Sequence, residues 1–221
     1  MSAAAIPARG TAETMLVDGE AGPIELLVAV PPTEPVGLAL VCHPHPLHGG
    51  ALSNKVTYTV AAAALKLGFV AARFNFRGVG KSAGTHDGGQ GETADTLVLV
   101  QWLRQQLPGL ELLLAGFSFG GFVSLKAAAA AAPALQISVA PPFKYFADEL
   151  LPLRPACPWL VIHARDDDVV DFEESRAILD QYQPPPELAT LDTAGHFFHG
   201  HLGELQDLCT DFIQRHWPLR R

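Results

Sequence analysis

The chain has 221 residues, of which 48% are hydrophobic and 17% are charged, and its formal net charge is −8. This composition is typical of a globular domain that buries an apolar core, and it excludes a disordered chain. The acidic excess argues against nucleic acid or an anionic membrane as a partner, because both select basic patches. We predict a single domain over residues 1–221, with residues 1–12 as a flexible N-terminal tail.

The sequence also bears on the cellular compartment. Its N-terminus lacks the basic and apolar segments of a signal peptide, and no apolar run reaches the ~18 residues that a membrane span needs. Cys42, Cys157 and Cys209 show no C-x-x-C spacing, which predicts reduced thiols rather than disulfides. We therefore expect a cytoplasmic protein without a membrane partner. No pattern in the sequence predicts an oligomeric state.

The first predicted elements form a β-hairpin over residues 14–30, with its turn at 18–23. The run GLALVC at 37–42 is apolar throughout, which predicts a strand covered on both faces. Ser53 is the expected N-cap of a helix that extends to Gly68. Beyond it, strands are predicted at 69–76, 112–115, 135–140, 159–163 and 188–191, and helices at 92–107, 121–132, 172–182 and 198–216.

This order of elements predicts an α/β fold. An antiparallel N-terminal hairpin precedes a mostly parallel central sheet, and helices cover both faces. Between the strands at 135–140 and 159–163 lie only eighteen residues, PPFKYFADELLPLRPACP. That segment is too short for a cap domain, so we expect an open site.

The stretch Gly116-Phe117-Ser118-Phe119-Gly120 joins a predicted strand to a predicted helix. Its G-x-S-x-G spacing is typical of a nucleophile elbow, in which a sharp turn holds the serine in strained dihedral angles. The glycines let strand and helix approach closely, and the helix N-terminus favours developing negative charge beside the hydroxyl. Ser118 is therefore the candidate nucleophile.

A nucleophilic serine requires a base that a third group orients. His196 follows the last predicted strand, and the consecutive aspartates 166–168 follow the strand at 159–163. Both segments lie beyond the carboxyl ends of strands, where ligands bind in open parallel sheets. His196 is the candidate base, whereas His199 and His201 lie one turn onward and are expected on a helix surface or as neighbours of the site. Spacing alone does not choose among the aspartates.

The segment VCHPHPLHGG contains His43, His45 and His48, and H-x-H-x-x-H resembles the H-x-H-x-D-H zinc loop of metallo-β-lactamase-like hydrolases. Leu47 stands where that motif has an acid. The alternating prolines also direct the first two imidazoles to opposite sides. A zinc-dependent hydrolase is therefore the less favoured alternative, and we expect neither a metal nor another cofactor.

The chain resembles the α/β-hydrolase superfamily, in particular small lid-less serine hydrolases related to dienelactone hydrolase and carboxylesterases. The stretches that carry the resemblance are VCHPHPLHGG, RFNFRGVGKSAG, LAGFSFGG, VIHARDDDVV and TAGHFFHG. Superfamily acid loops often read H-G-x-x-D-x-V-V, a register that selects Asp167 as the triad acid, although Ala164 replaces the glycine. The resemblance implies an esterase of the carboxylesterase type, acting on small esters, thioesters or lactones through an acyl-enzyme.

Such a mechanism requires an oxyanion hole with two backbone N–H donors. Phe119, which follows the nucleophile, is expected to supply one of them. The other is expected in the loop after the strand at 37–42. Pro44 and Pro46 have no N–H, and the family register points to His45. We also expect an apolar substrate pocket to be lined by Phe143, Tyr145 and Phe197. A non-catalytic binding protein on the same fold is the second alternative.

Overall fold

The computed structural model describes residues 4–217. The strands are β1 (Ala12–Gly19), β2 (Gly22–Ala29), β3 (Gly37–Cys42), β4 (Phe69–Phe74), β5 (Leu112–Phe117), β6 (Leu135–Val139), β7 (Trp159–Ala164) and β8 (Glu187–Leu191). They form one sheet in the order β1-β2-β4-β3-β5-β6-β7-β8. β2 pairs antiparallel with β1 and with β4, and the remaining neighbours are parallel.

Helices cover both faces of this sheet. They are α1 (Lys55–Lys66), α2 (Gln90–Gln106), α3 (Phe119–Ala131), α4 (Ala147–Leu150), α5 (Phe172–Leu179) and α6 (Leu202–His216). In β3, Leu38 and Leu40 join the core with α2 and α3, whereas Ala39 and Val41 join the core with α1 and α6. Successive strand residues point to opposite faces, so a strand covered twice must be apolar throughout. The predicted α/β-hydrolase fold class is confirmed.

Four predicted helix starts differ from the structure: α2 and α3 each begin two residues earlier than predicted, and α1 and α6 begin later. Asn54, not Ser53, caps α1, because its Oδ1 accepts the N–H groups of Val56 at 2.9 Å and Thr57 at 3.1 Å. α6 begins at Leu202 rather than at Phe198, because Phe198 has a φ of 53° and cannot continue a right-handed helix. The residues before α6 are therefore a loop at the carboxyl edge of the sheet.

The segment between β6 and β7 stays short, as expected. It contains a 3-10 turn at Phe143–Phe146 and the single-turn helix α4. The Phe146 ring stacks on Phe122 of α3, with centroids 3.8 Å apart, and this contact anchors the segment beside the sheet edge. No cap domain lies above that edge within residues 4–217.

The segment before β1 lies against the protein where it is described. Ala4 and Ile6 pack on the core, and the Gly10 N–H donates to the Val30 carbonyl at 3.1 Å. Residues 1–3 of the expected tail lie outside the described residues. None of the helices in residues 4–217 has both the length and the apolar character needed to cross a bilayer.

Candidate active site

Ser118 lies at the junction of β5 and α3 with φ 52° and ψ −121°, a conformation that non-glycine residues rarely adopt. Its flanking glycines make this turn possible. A Cβ on Gly116 would lie 2.0 Å from the Gly120 carbonyl oxygen, and one on Gly120 would lie 2.4 Å from the Cys42 oxygen. The Ser118 N–H donates to the Val139 carbonyl of β6 at 2.8 Å. Backbone packing, rather than side-chain packing, therefore fixes the serine above the sheet.

The loops after β7 and β8 bring an acid and an imidazole to this serine. His196 Nε2 lies 3.1 Å from Ser118 Oγ, and His196 Nδ1 lies 2.8 Å from Asp167 Oδ2. Burial opposes ionisation of Asp167, but hydrogen bonds from His196, Val170 and Val169 together lower the pKa of its carboxyl group. An ionised Asp167 holds the proton on Nδ1 and leaves Nε2 free to accept the serine proton.

The three consecutive aspartates have different environments. Asp167 is buried against His196, whereas Asp168 is exposed. Asp166 Oδ1 accepts the Gly195 N–H at 2.8 Å, and Gly195 has a φ of 57°. Asp166 therefore links the loop that carries Asp167 to the loop that carries His196. This contact was missed from the sequence, where only the glycine before the histidine pointed to a constrained turn.

The side chains of the two expected oxyanion donors contact each other. The His45 and Phe119 rings have centroids 4.9 Å apart, and neither backbone N–H has a hydrogen-bond partner within the described chain. A tight turn shapes the loop, since a Cβ on Gly50 would lie 2.0 Å from the Pro44 carbonyl oxygen. A tetrahedral oxyanion requires two N–H donors of this kind, without a partner in the free protein.

His43 fixes the same loop through two hydrogen bonds of its buried ring. Its buried Nδ1 donates to the Pro44 carbonyl at 2.6 Å, and its Nε2 accepts the Phe76 N–H at 3.0 Å. Burial lowers the pKa of this imidazole to about 4, although the bond to Pro44 opposes the shift. Both ring nitrogens are occupied by backbone groups, and residues 4–217 contain no cluster of three His, Cys, Asp or Glu residues able to hold a metal ion.

We predict that His43 makes the folded state sensitive to mild acid. Its pKa falls from 6.5 to about 4 on folding, so the unfolded chain binds the proton more readily. The free energy of unfolding is therefore largest above pH 6.5. It decreases as the pH falls, and the His43 shift lowers it by about 2 kcal/mol at pH 5. Urea unfolding of the wild type and of His43→Gln at pH 7 and pH 5 measures this loss. If the free energy of unfolding changed equally between pH 7 and pH 5 in the two proteins, the prediction would be wrong.

The three expected pocket residues have different positions. Phe143 does not line a surface, because it is fully buried beside Trp159 and Tyr182. Tyr145 is 68% exposed and borders a cavity of about 410 Å³ together with the segment 167–171. Phe197 is 44% exposed, and its ring meets the His196 ring edge-on at 5.1 Å. Of the three predicted pocket residues, Tyr145 and Phe197 are therefore accessible, and no cap domain within residues 4–217 closes the rim of the site.

Comparison with known proteins agrees with this fold. A sequence model of the family described as X-Pro dipeptidyl-peptidase (S15 family) matches residues 23–145. An α/β serine hydrolase without a lid from Xanthomonas campestris is 36% identical, with a TM-score of 0.93 over 99% of this chain and 100% of its own. An α/β serine hydrolase homologue from Coxiella burnetii is 40% identical, with a TM-score of 0.87 over 94% and 99%.

A curated but uncharacterised protein of Rickettsia prowazekii (strain Madrid E) is 29% identical over 208 residues, which are 89% of this chain and 86% of the relative. The relatives therefore share the whole length of the fold as well as the elbow segment. The chain belongs to the S15 family and, with it, to the α/β-hydrolase superfamily of serine hydrolases.

Proposed function

We propose that this hydrolase cleaves carboxylic esters of small substrates through an acyl-enzyme. The observation that carries the proposal is the continuous hydrogen-bond chain from Asp167 through His196 to Ser118, with distances of 2.8 and 3.1 Å. The strained elbow and the unpaired N–H groups of Phe119 and His45 support the same chemistry. The family shows the reaction class, hydrolysis, and the geometry supports the proposed roles of these residues.

In the proposed mechanism, His196 Nε2 accepts the Ser118 proton while Oγ forms a bond to the carbonyl carbon. The carbonyl oxygen becomes an oxyanion, which accepts hydrogen bonds from the N–H groups of Phe119 and His45. The C–O bond to the alcohol then breaks, and His196 gives its proton to that oxygen. Water attacks the acyl-enzyme by the same route and regenerates the Ser118 hydroxyl. Asp167 stabilises the imidazolium in both halves.

The open rim favours substrates with short or medium acyl groups, because no cap domain in residues 4–217 encloses a long chain. p-Nitrophenyl esters of increasing acyl length test this, with a fluorophosphonate probe used to count active sites. We expect kcat/KM to be highest for short or medium chains. A sharp optimum at long chains would contradict the proposal. Thioesters and lactones, which follow the same acyl transfer, belong in the same panel.

Peptide hydrolysis is the second candidate, because the matching family is described by an X-Pro dipeptidyl-peptidase activity. An amide is harder to cleave than an ester, and its amine must be protonated by His196 as it leaves. X-Pro p-nitroanilides, assayed beside the esters, separate the candidates. Esters are expected to give the larger kcat/KM, and the reverse order would replace esterase with peptidase.

Two further alternatives have separate tests. Incubation with a chelator is expected to leave hydrolysis unchanged, and a loss of activity would instead favour a zinc site in the loop of His43, His45 and His48. Absence of both fluorophosphonate labelling and hydrolysis in a folded sample would favour a non-catalytic binding protein.

We also propose a cytoplasmic location. Cys42, Cys157 and Cys209 are free thiols, and the first and last of them are buried. Burial raises the pKa of both buried thiols to about 12, so they are poor nucleophiles at neutral pH. Such thiols are typical of a reducing compartment. Mass measurement of the three thiols after extraction under alkylation tests this location.

A further inference from the structure

A second imidazole–carboxylate pair lies beside the oxyanion loop. Glu92, in the first turn of α2, is completely buried, and its carboxylate accepts the Gly89 N–H at 2.9 Å. Its other oxygen lies 2.7 Å from Nδ1 of His86. A carboxylate can only accept hydrogen bonds, so His86 Nδ1 is the donor of this pair. A buried group therefore fixes the orientation of a ring on an irregular loop.

The loop that carries His86 is itself attached to α2. The Arg77 guanidinium donates to both carboxylate oxygens of Asp95, at 3.0 and 2.9 Å, and to Asp87 at 3.3 Å. Gly91 allows this approach, since a Cβ there would lie 1.7 Å from the Arg77 guanidinium. Bidentate pairs of this kind fix geometry as well as charge. The Glu92 carboxylate therefore fixes the His86 ring, and the Arg77–Asp87 pair fixes the next residue of the loop.

The His86 ring contacts both residues that carry the candidate oxyanion donors. Its centroid lies 4.8 Å from the His45 ring and 5.3 Å from the Phe119 ring. The half-exposed side chain of His45 has one hydrogen bond within residues 4–217, from the Leu47 N–H at 3.2 Å, and its carbonyl accepts the N–H groups of His48 and Gly50. The His86 ring is a further contact on this side chain. His43 anchors the inner side of the loop, and His86 bounds its outer side.

We propose that His86, oriented by Glu92, is a positioning residue for the oxyanion hole. The proposal rests on the proposed acyl-transfer function and adds a residue to it. Oxyanion donors act mainly in the transition state, so a displaced donor lowers kcat more than it changes KM. A shift of about 1 Å in such a group can lower the rate by about 100-fold. The ring of His86 prevents that shift at His45.

The test compares His86→Ala with the wild type, counting active sites with a fluorophosphonate so that only folded enzyme contributes. We expect kcat per titrated site to fall by about 10- to 100-fold while KM changes by less than about threefold. His86→Phe keeps a ring against His45 and Phe119, and its kcat is expected to lie between those of the wild type and His86→Ala. His201→Ala is the matched control, because it removes a partly exposed imidazole paired with Glu204 at 2.7 Å.

A second measurement separates positioning from general loss of structure. A small boronic acid forms a tetrahedral adduct with the serine, and its affinity is expected to weaken in His86→Ala by the same factor as kcat/KM. A His86→Ala enzyme with kcat within about twofold of the wild type would overturn the proposal, as would a lower kcat with unchanged boronate affinity. Failure of the wild type to react with the fluorophosphonate would instead overturn the proposed function.

Discussion

Replacing Ser118 with alanine is expected to lower kcat for a short p-nitrophenyl ester by about 10⁴- to 10⁶-fold. Among the described residues, the Ser118 hydroxyl is the only hydrogen-bond partner of His196 Nε2. The substitution therefore removes the attacking oxygen, and the base has no proton to accept. Fluorophosphonate labelling should disappear together with hydrolysis. Both are measured on protein whose thermal unfolding matches the wild type.

Ser53→Ala provides the matched control, because Ser53 is an exposed serine in the loop before α1. It is expected to retain labelling and wild-type kcat. Labelling that persists in Ser118→Ala, or a kcat reduced by less than about tenfold, would show that another group carries out the reaction.

Asp167→Asn is expected to lower kcat by about 10³- to 10⁴-fold, with little change in the fold. An asparagine can present its amide N–H to His196 Nδ1, which favours the imidazole tautomer that cannot accept the Ser118 proton. Since the carboxylate also accepts the Val169 and Val170 N–H groups, the amide side chain still has backbone donors to hold it in place. Steady-state kinetics measure the loss of kcat, and near-ultraviolet circular dichroism checks that the fold is unchanged.

The neighbouring aspartates serve as internal controls. Asp166→Ala removes the acceptor of the Gly195 N–H and should lower kcat by about tenfold, because the loop of His196 loses one tether. Asp168→Asn should have the smallest effect of the three, since Asp168 is exposed. An effect of Asp168→Asn as large as that of Asp167→Asn would contradict the assignment of the acid.

Much of the fold could be predicted from local sequence, because strands covered on both faces must be apolar and the breaks between them carry glycine or proline. GLALVC is strand β3 with the predicted bounds. Helix starts were less predictable. Ser53 and Asn54 are both good caps, and which of them bonds the first turn depends on the path of the preceding loop. The late start of α6 depends on the positive φ of Phe198, which no pattern indicates.

The candidate site was predictable where chain order limits the choice. Ser118 and His196 follow from strand ends and from the elbow glycines, whereas Asp167 needed a family register because its neighbours are identical in type. Phe143 was misplaced, since its burial depends on Trp159, which is distant in sequence. His86 was missed for the same reason, although a glutamate three residues after Gly89 is a recognisable helix-start signal.

The short segment between β6 and β7 suggests how a protein of this kind can acquire new selectivity. Its Tyr145 borders a cavity together with Asp167, and its Phe146 anchors it on α3, but it carries none of Ser118, Asp167 or His196. Lengthening it would change which molecules reach the serine while the bond-breaking groups kept their spacing. Grafting a helical hairpin between Glu149 and Pro155 is thus a route to size-selective variants that retain the parent chemistry.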